Sequence, residues 1–178
     1  MSIPDDLRPA DVLRVLVLCT RNSARSQIAE ALFKTLGRER IAAASAGSDP
    51  GAGVHPIAVE VLAEIGIDWQ GRPSRAIDVV IDEPWDVVIT VCDAARDACP
   101  YLPTAGVTAH WGMEDPAAAS ASHEAQLDAF RHTRDRLGDA ISVFLDVIGR
   151  ARAVGDEISV QEALLAGGRR LRESAPMA

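Results

Sequence analysis

Cys19 opens the run Cys-Thr-Arg-Asn-Ser-Ala-Arg-Ser, which ends at Ser26. Five residues separate this thiol from Arg25. Two further thiols, Cys92 and Cys99, stand seven positions apart in Val-Ile-Thr-Val-Cys-Asp-Ala-Ala-Arg-Asp-Ala-Cys-Pro. A thiol paired with an arginine across a tight loop is equipped to attack a tetrahedral oxyanion. Two more thiols allow such an attack to end in a disulfide. Together the three cysteines point to redox chemistry on an oxyanion.

That chemistry needs a scaffold. Residues 12–18, Val-Leu-Arg-Val-Leu-Val-Leu, read as a strand buried on both faces of a parallel sheet. Beyond the loop, Ile28, Ala29, Leu32, Phe33 and Leu36 recur at helical spacing, and Gly37 stops the helix. A short strand of small residues covers 41–46 and ends at Gly47, before the turn cluster Asp49-Pro50-Gly51-Ala52-Gly53. Pro56 opens a helix carrying Ile57, Val61, Leu62 and Ile65, closed by Gly66. Residues 86–92 and 106–110 supply two more strands. A long helix then aligns Leu127, Phe130, Leu137, Ile141, Phe144 and Ile148 on one face. The stretch 117–122, Ala-Ala-Ala-Ser-Ala-Ser, is a loop or a helix start, and Ser159 with Glu162 forms a capping-box pattern before Leu164, Leu165 and Leu171. Alternating strands and helices imply an α/β fold. Ligands of such sheets sit at the C-terminal ends of the strands, where Cys19 and Cys92 both fall. The expected organisation is a flexible arm over 1–10, one domain over 11–150 and a C-terminal helical extension over 151–178.

The loop Thr20, Arg21, Asn22, Ser23, Ala24, Arg25 and Ser26 is the expected oxyanion cradle. Its backbone amides can converge on one anion, and the helix starting near Arg25 points its positive end there. Arg25 can grip two oxygens with its planar fork. The same field favours thiolate over thiol at Cys19, because cysteines in such settings have pKa values of about 3.5–7.5. Ser26 can donate a hydrogen bond to the sulfur, Asn22 tolerates left-handed backbone angles, and Arg21 adds charge at the rim. A lone strand-end cysteine is ordinarily a small buried hydrophobe. Its place between a buried strand and a helix, beside Asn22 and Ser26, argues for the functional reading.

Composition narrows the classes. The 178 residues are 48% apolar, enough for one domain with a sizeable core. A formal net charge of −8 argues against nucleic acid and anionic membrane as partners. No apolar run approaches the roughly 20 residues that span a bilayer, and the N-terminal residues lack the pattern of a signal peptide. An odd count of cysteines argues against a secreted disulfide framework. These features predict a cytoplasmic protein. Oligomeric state is not legible.

With those residues in view, the chain over 13–150 resembles the low-molecular-weight tyrosine phosphatase superfamily, most closely its thioredoxin-coupled arsenate reductase branch. The resemblance is carried by Cys19 to Ser26, by Ser45-Ala46-Gly47, by Cys92-x6-Cys99-Pro100, and by His-Trp-Gly-Met-Glu-Asp-Pro at 110–116. It implies a three-layer, flavodoxin-like sandwich on a four-stranded parallel sheet. It assigns the general acid to Asp115, with Glu114 a solvated neighbour. An aromatic residue usually follows the Asp-Pro pair in the phosphatases, whereas Ala117 follows here. The implied reaction is reduction of arsenate to arsenite. Cys19 forms the adduct, Cys92 attacks it, and Cys99 then attacks Cys92. A Cys92–Cys99 bridge across a helical segment would need closure from about 10 Å to about 4.4–6.8 Å between Cα atoms, so the segment must loop out. Thioredoxin is the expected electron donor, with mycothiol or glutathione the alternatives used by some relatives. No tightly bound cofactor is implied.

In some members Asn22, Glu30 and Ser45 help form a potassium site with a further acidic ligand near 74–76. This chain has Ser74-Arg75-Ala76 there, which argues against the ion and leaves Glu30 a helix-surface residue. His110 and Trp111 read as strand-end packing, with Trp111 at the pocket rim, and His55 as a turn residue. Arg169, Arg170 and Arg172 read as a solvated helix face. Two other functions use the same residues. One is a phosphatase acting on phosphotyrosine or small phosphate esters, an activity also expected as a weak side reaction of the reductase. The other is an arsenite-binding or redox-sensing protein. Cysteines seven apart do not match the short ligand spacings of zinc sites.

Overall fold

The computed structural model describes residues 12–94, 105–118, 122–154 and 160–174. The N-terminal arm and Cys99 therefore lie outside the described residues. Four strands form one parallel sheet in the order β2-β1-β3-β4, with β1 at Leu13–Cys19, β2 at Ile41–Gly47, β3 at Trp85–Thr90 and β4 at Ala105–His110. Among the described residues four helices accompany it: α1 (Arg25–Gly37), α2 (Pro56–Ala63), α3 (His123–Val154) and α4 (Val160–Glu173). Crossing from β1 to β2 through α1 gives the parallel connection that the alternating pattern required.

The continuous apolar run of β1 is explained by burial on both faces. Val15, Val17 and Cys19 join the core beneath α1 and α3, while Leu16 and Leu18 face the opposite side with Ala44, Ala46 and Val88. Ile77, Val80 and Ile81, around a 3-10 turn at Ile77–Val79, close over that second face. The larger core is centred on three aromatic rings. Phe33 of α1 stacks on Trp111 at 6.3 Å and meets Phe144 of α3 edge-on at 5.8 Å.

Helix α1 does begin at Arg25 as expected, so its first turn is part of the cradle, but other details differ. Helix α3 runs through Gly149 to Val154, because Ile148 and Ala151 keep its inner face buried. Leu36, Ile65 and Leu165, expected as apolar contacts, are 38%, 48% and 49% exposed. Ile65 lies past the end of α2, in the turn that Gly66 makes with φ of 78°. Leu164 and Leu171 of α4 are buried as expected, and Ser159 lies outside the described residues. Within 117–122, a 3-10 turn covers Pro116–Ala118, and Ser122 accepts the Ala125 N–H at 3.3 Å. No described helix is long and apolar enough to cross a membrane.

Candidate active site

Strand β1 delivers Cys19 to the C-terminal edge of the sheet, and the chain turns at once into α1. The thiol is 4% exposed. Its sulfur accepts the Asn22 backbone N–H at 3.1 Å and lies 2.9 Å from Ser26 Oγ. Asn22 makes this turn possible with φ of 48°, a left-handed angle that asparagine adopts more readily than most residues. Its buried amide donates to Ser26 Oγ at 3.0 Å and to Ser45 Oγ at 2.8 Å. Because Asn22 donates to Ser26, the serine's own proton is directed toward the Cys19 sulfur. Two hydrogen-bond donors are thus placed to converge on the sulfur. Gly47 lies directly beneath, where an added Cβ would strike the Thr20 carbonyl and meet Asn22 N at 2.9 Å. The Ser-Ala-Gly run therefore gives the loop both a hydroxyl anchor and room to approach.

Behind Asn22 a polar chain runs inward. Ser45 Oγ donates to Glu30 at 2.6 Å, and Glu30 is fully buried. Arg75 meets both carboxylate oxygens at 2.9 Å, and Lys34 reaches one at 2.6 Å. Glu30 is therefore not a helix-surface residue. Asn22, Glu30 and Ser45, which help form a potassium site in some relatives, do come together, but the group does not fit a bare cation. A guanidinium and an ammonium already neutralise the carboxylate, and Ser45 spends its proton on it. Among the described residues no cluster of three or more His, Cys, Asp or Glu side chains could hold a metal ion. The 73–75 segment also clamps Asn22 directly: Arg75 N–H donates to its Oδ1 at 2.7 Å and Ser74 Oγ to its carbonyl at 2.7 Å. In the sequence, Ser74-Arg75-Ala76 shows only that an acidic residue is absent, with no local sign of these contacts.

Arg25 is 12% exposed and spans to the loop after β4. It donates to the Met113 carbonyl at 3.0 Å and reaches Asp115 at 3.3 Å. Asp115 also caps its own turn by accepting the Ala117 N–H at 3.1 Å. Arg25 and Asp115 thus stand together, and Glu114 is exposed. Arg21 sits at the rim, 64% exposed and 3.8 Å from Asp49. Cys92 lies just past β3, 5% exposed, with its sulfur 3.5 Å from Thr20 Oγ1. This second thiol therefore touches the residue next to Cys19. Trp111 is 2% exposed, a core residue and not part of a rim.

His55 was missed as a neighbour of the site. It caps α2 by accepting the Ile57 N–H on Nδ1 at 3.2 Å, and it donates its own N–H to the Ser23 carbonyl at 2.8 Å. Its ring stacks on Phe130 at 4.8 Å. That burial lowers its pKa, an effect the Asp115 charge partly opposes. The signal available was its place before Pro56, an N-cap position.

The family model described as low molecular weight phosphotyrosine protein phosphatase matches residues 14–154. The chain belongs to that family. An arsenate reductase of Oceanobacillus iheyensis is 39% identical over 130 residues, which span 73% of this chain and 93% of that protein. The glutaredoxin arsenate reductase of a Synechocystis species is 35% identical over 128 residues, spanning 72% and 92%. Among solved structures, an arsenate reductase in the phosphate binding state aligns with a TM-score of 0.66 at 34% identity, covering 77% of this chain and 99% of that one. For this low molecular weight phosphatase family member, the four-stranded parallel sheet with its helices is thus the family's fold. The family match ends at residue 154, before α4 begins.

Proposed function

We propose that this protein reduces arsenate to arsenite by a relay of its three thiols. The observation that carries the reading is the contact between Cys92 and Thr20, which brings a second buried sulfur to the cradle that holds Cys19. Arsenate reductases among its relatives support the substrate. In the first step the Cys19 sulfur attacks arsenic(V), forming a sulfur–arsenic bond. One oxygen leaves as water, taking a proton from Asp115. Arg25 and the loop amides carry the charge on the remaining oxygens. Cys92 then attacks the Cys19 sulfur. The sulfur–arsenic bond breaks with its electron pair retained by arsenic, so arsenite departs as arsenic(III) and a Cys19–Cys92 disulfide forms. Cys99 attacks the Cys92 sulfur and releases Cys19. A dithiol reductant restores Cys92 and Cys99, and no tightly bound cofactor enters the scheme. Thioredoxin fits a chain that ends in an intramolecular disulfide, and a reducing, cytosolic setting fits a relay that must be reset.

The family's name supports a second reading, phosphate-ester hydrolysis by the same cradle and acid. Ala117 after Asp115-Pro116 offers no aromatic surface for an aryl group. The two readings separate in one assay. Arsenate turnover is followed by NADPH oxidation with thioredoxin and its reductase, beside glutathione with glutaredoxin, in the wild type and each Cys→Ser variant. Cys92→Ser is expected to abolish arsenate turnover and to leave phosphate-ester hydrolysis within about twofold, since hydrolysis needs only the first thiol. Equal loss of both activities would remove the relay. Faster turnover with glutaredoxin would replace the donor.

A further inference from the structure

Helix α4 lies outside the family match, yet it is not a loose appendage. Its residues Val160, Ala163, Leu164 and Leu171 are buried. Arg136 of α3 donates to the Leu171 carbonyl at 2.7 Å, and Arg170 pairs with Asp139 at 2.7 Å. The helix carries Gly167 and Gly168 in its interior. Glycine is a poor helix former relative to alanine. The structure supplies the reason. A Cβ on Gly167 would come within 2.7 Å of the Trp111 ring and 2.8 Å of the Ala140 carbonyl, and one on Gly168 within 3.2 Å of Trp111 Nε1. The indole also donates to the Leu164 carbonyl at 3.2 Å. The glycine pair is a seat for one side chain.

That side chain begins the loop that bears the acid. Trp111 follows β4 directly, and its N–H is held by the Thr90 carbonyl at 2.8 Å. Two residues on, the Met113 N–H meets the Val91 carbonyl at 3.3 Å, while its carbonyl receives Arg25 at 3.0 Å. Asp115 follows, 3.3 Å from the same guanidinium. The other side of the indole rests on Phe33 of α1, the helix that starts at Arg25. Trp111 is thus wedged between the helix of the cradle and the helix outside the match, at the root of the acid loop.

We propose that α4 is a positioning element for the acid, acting through Trp111. It touches no reacting atom. It fixes the indole, and the indole sets where Met113 and Asp115 stand relative to Arg25. The inference rests on the reading of Asp115 as the proton donor.

The test is a double-mutant cycle on the full chain. Gly167→Ala, Asp115→Asn and the double variant are compared by single-turnover arsenite formation, by arsenate affinity and by thermal melting. Gly138→Ala on α3, where a Cβ meets nothing within 4 Å, is the control. Gly167→Ala is expected to slow arsenite formation about tenfold or more with affinity within about twofold, since small misplacement of a catalytic group is costly. In the Asp115→Asn background the same change is expected to add less than about twofold. An equal loss in both backgrounds would show a merely structural role and overturn the proposal. An active Asp115→Asn enzyme would overturn the acid reading and this inference with it. Loss on Asp115→Asn with an unaltered Gly167→Ala enzyme would overturn this inference alone. Trp111→Phe, which keeps a ring but loses the bond to Leu164, carries the same expectation should Gly167→Ala fail to fold.

Discussion

Glu30 is a carboxylate with no exposure to water, eleven residues from Cys19 in sequence and one hydrogen-bond chain away in space. A bare buried charge is costly, so its partners decide what the cradle can tolerate. Arg75 supplies the two-oxygen contact, and its backbone also holds Asn22. Removing the guanidinium leaves Lys34, a side chain 39% exposed, as the remaining cation. Arg75→Met is therefore expected to destabilise the fold by about 1–3 kcal/mol, below the full cost of orphaning a wholly buried charge because Arg75 is itself partly solvated. Urea unfolding reads the stability. A variant as stable as the parent would show that Lys34 alone neutralises Glu30. This scale also marks where the sequence stops being legible. Cys19, Asn22, Ser26 and Arg25 act within one loop, so spacing revealed them. Arg75 acts across 45 residues on Glu30, and no local pattern in a polar segment announces such a partner.

At the scale of elements, strands β1 and β3 were readable because burial on both faces leaves an unbroken apolar run. The ends of elements were not, since they depend on what lies opposite. Ile65 and Leu36 fit a helical period yet face solvent, and His55, read as a turn, is the cap that starts α2. That cap is sensitive to pH. The acceptor is Nδ1, and protonation would place a hydrogen there and forfeit the bond from Ile57. Burial against Phe130 lowers the pKa of His55 in the folded chain, so the unfolded chain takes up the proton first as pH falls. Stability is present above the ordinary histidine value of about 6.5 and is lost as pH falls from there through the lowered value of the folded chain. Urea midpoints measured from about pH 7.5 to about pH 5.5 are expected to decline in the parent and to decline less in His55→Asn, which keeps a strong N-cap without a titrating group. Parallel slopes in the two proteins would assign the acid loss to other groups.

On the proposed reading, the molecule as a whole must reconcile a rigid cradle with a relay that moves. Phe33, Trp111 and Phe144 join α1, α3 and the root of the acid loop into one packed unit, and α4 closes it. Nothing in that unit needs to shift when electrons pass between sulfurs. The demand for motion falls on the chain after β3. There His110 ties Thr90 at 2.8 Å and Asp93 at 3.0 Å, bracketing Cys92. In the proposed relay, drawing Cys92 toward Cys19 would load the Asp93 contact next to it. Were the segment from Cys92 to Cys99 helical, a disulfide between them would also require local opening. Hydrogen exchange of the reduced protein and of protein oxidised after arsenate turnover separates these regions. Amides over 92–99 are expected to exchange about tenfold faster or more after oxidation, whereas those of α3 and α4 change by less than about twofold. Uniform acceleration across α3 and α4 would mean that oxidation loosens the whole core. Unchanged exchange over 92–99 would mean that the thiols meet without rearrangement, and the segment would then have to hold its cysteines at bridging distance from the start.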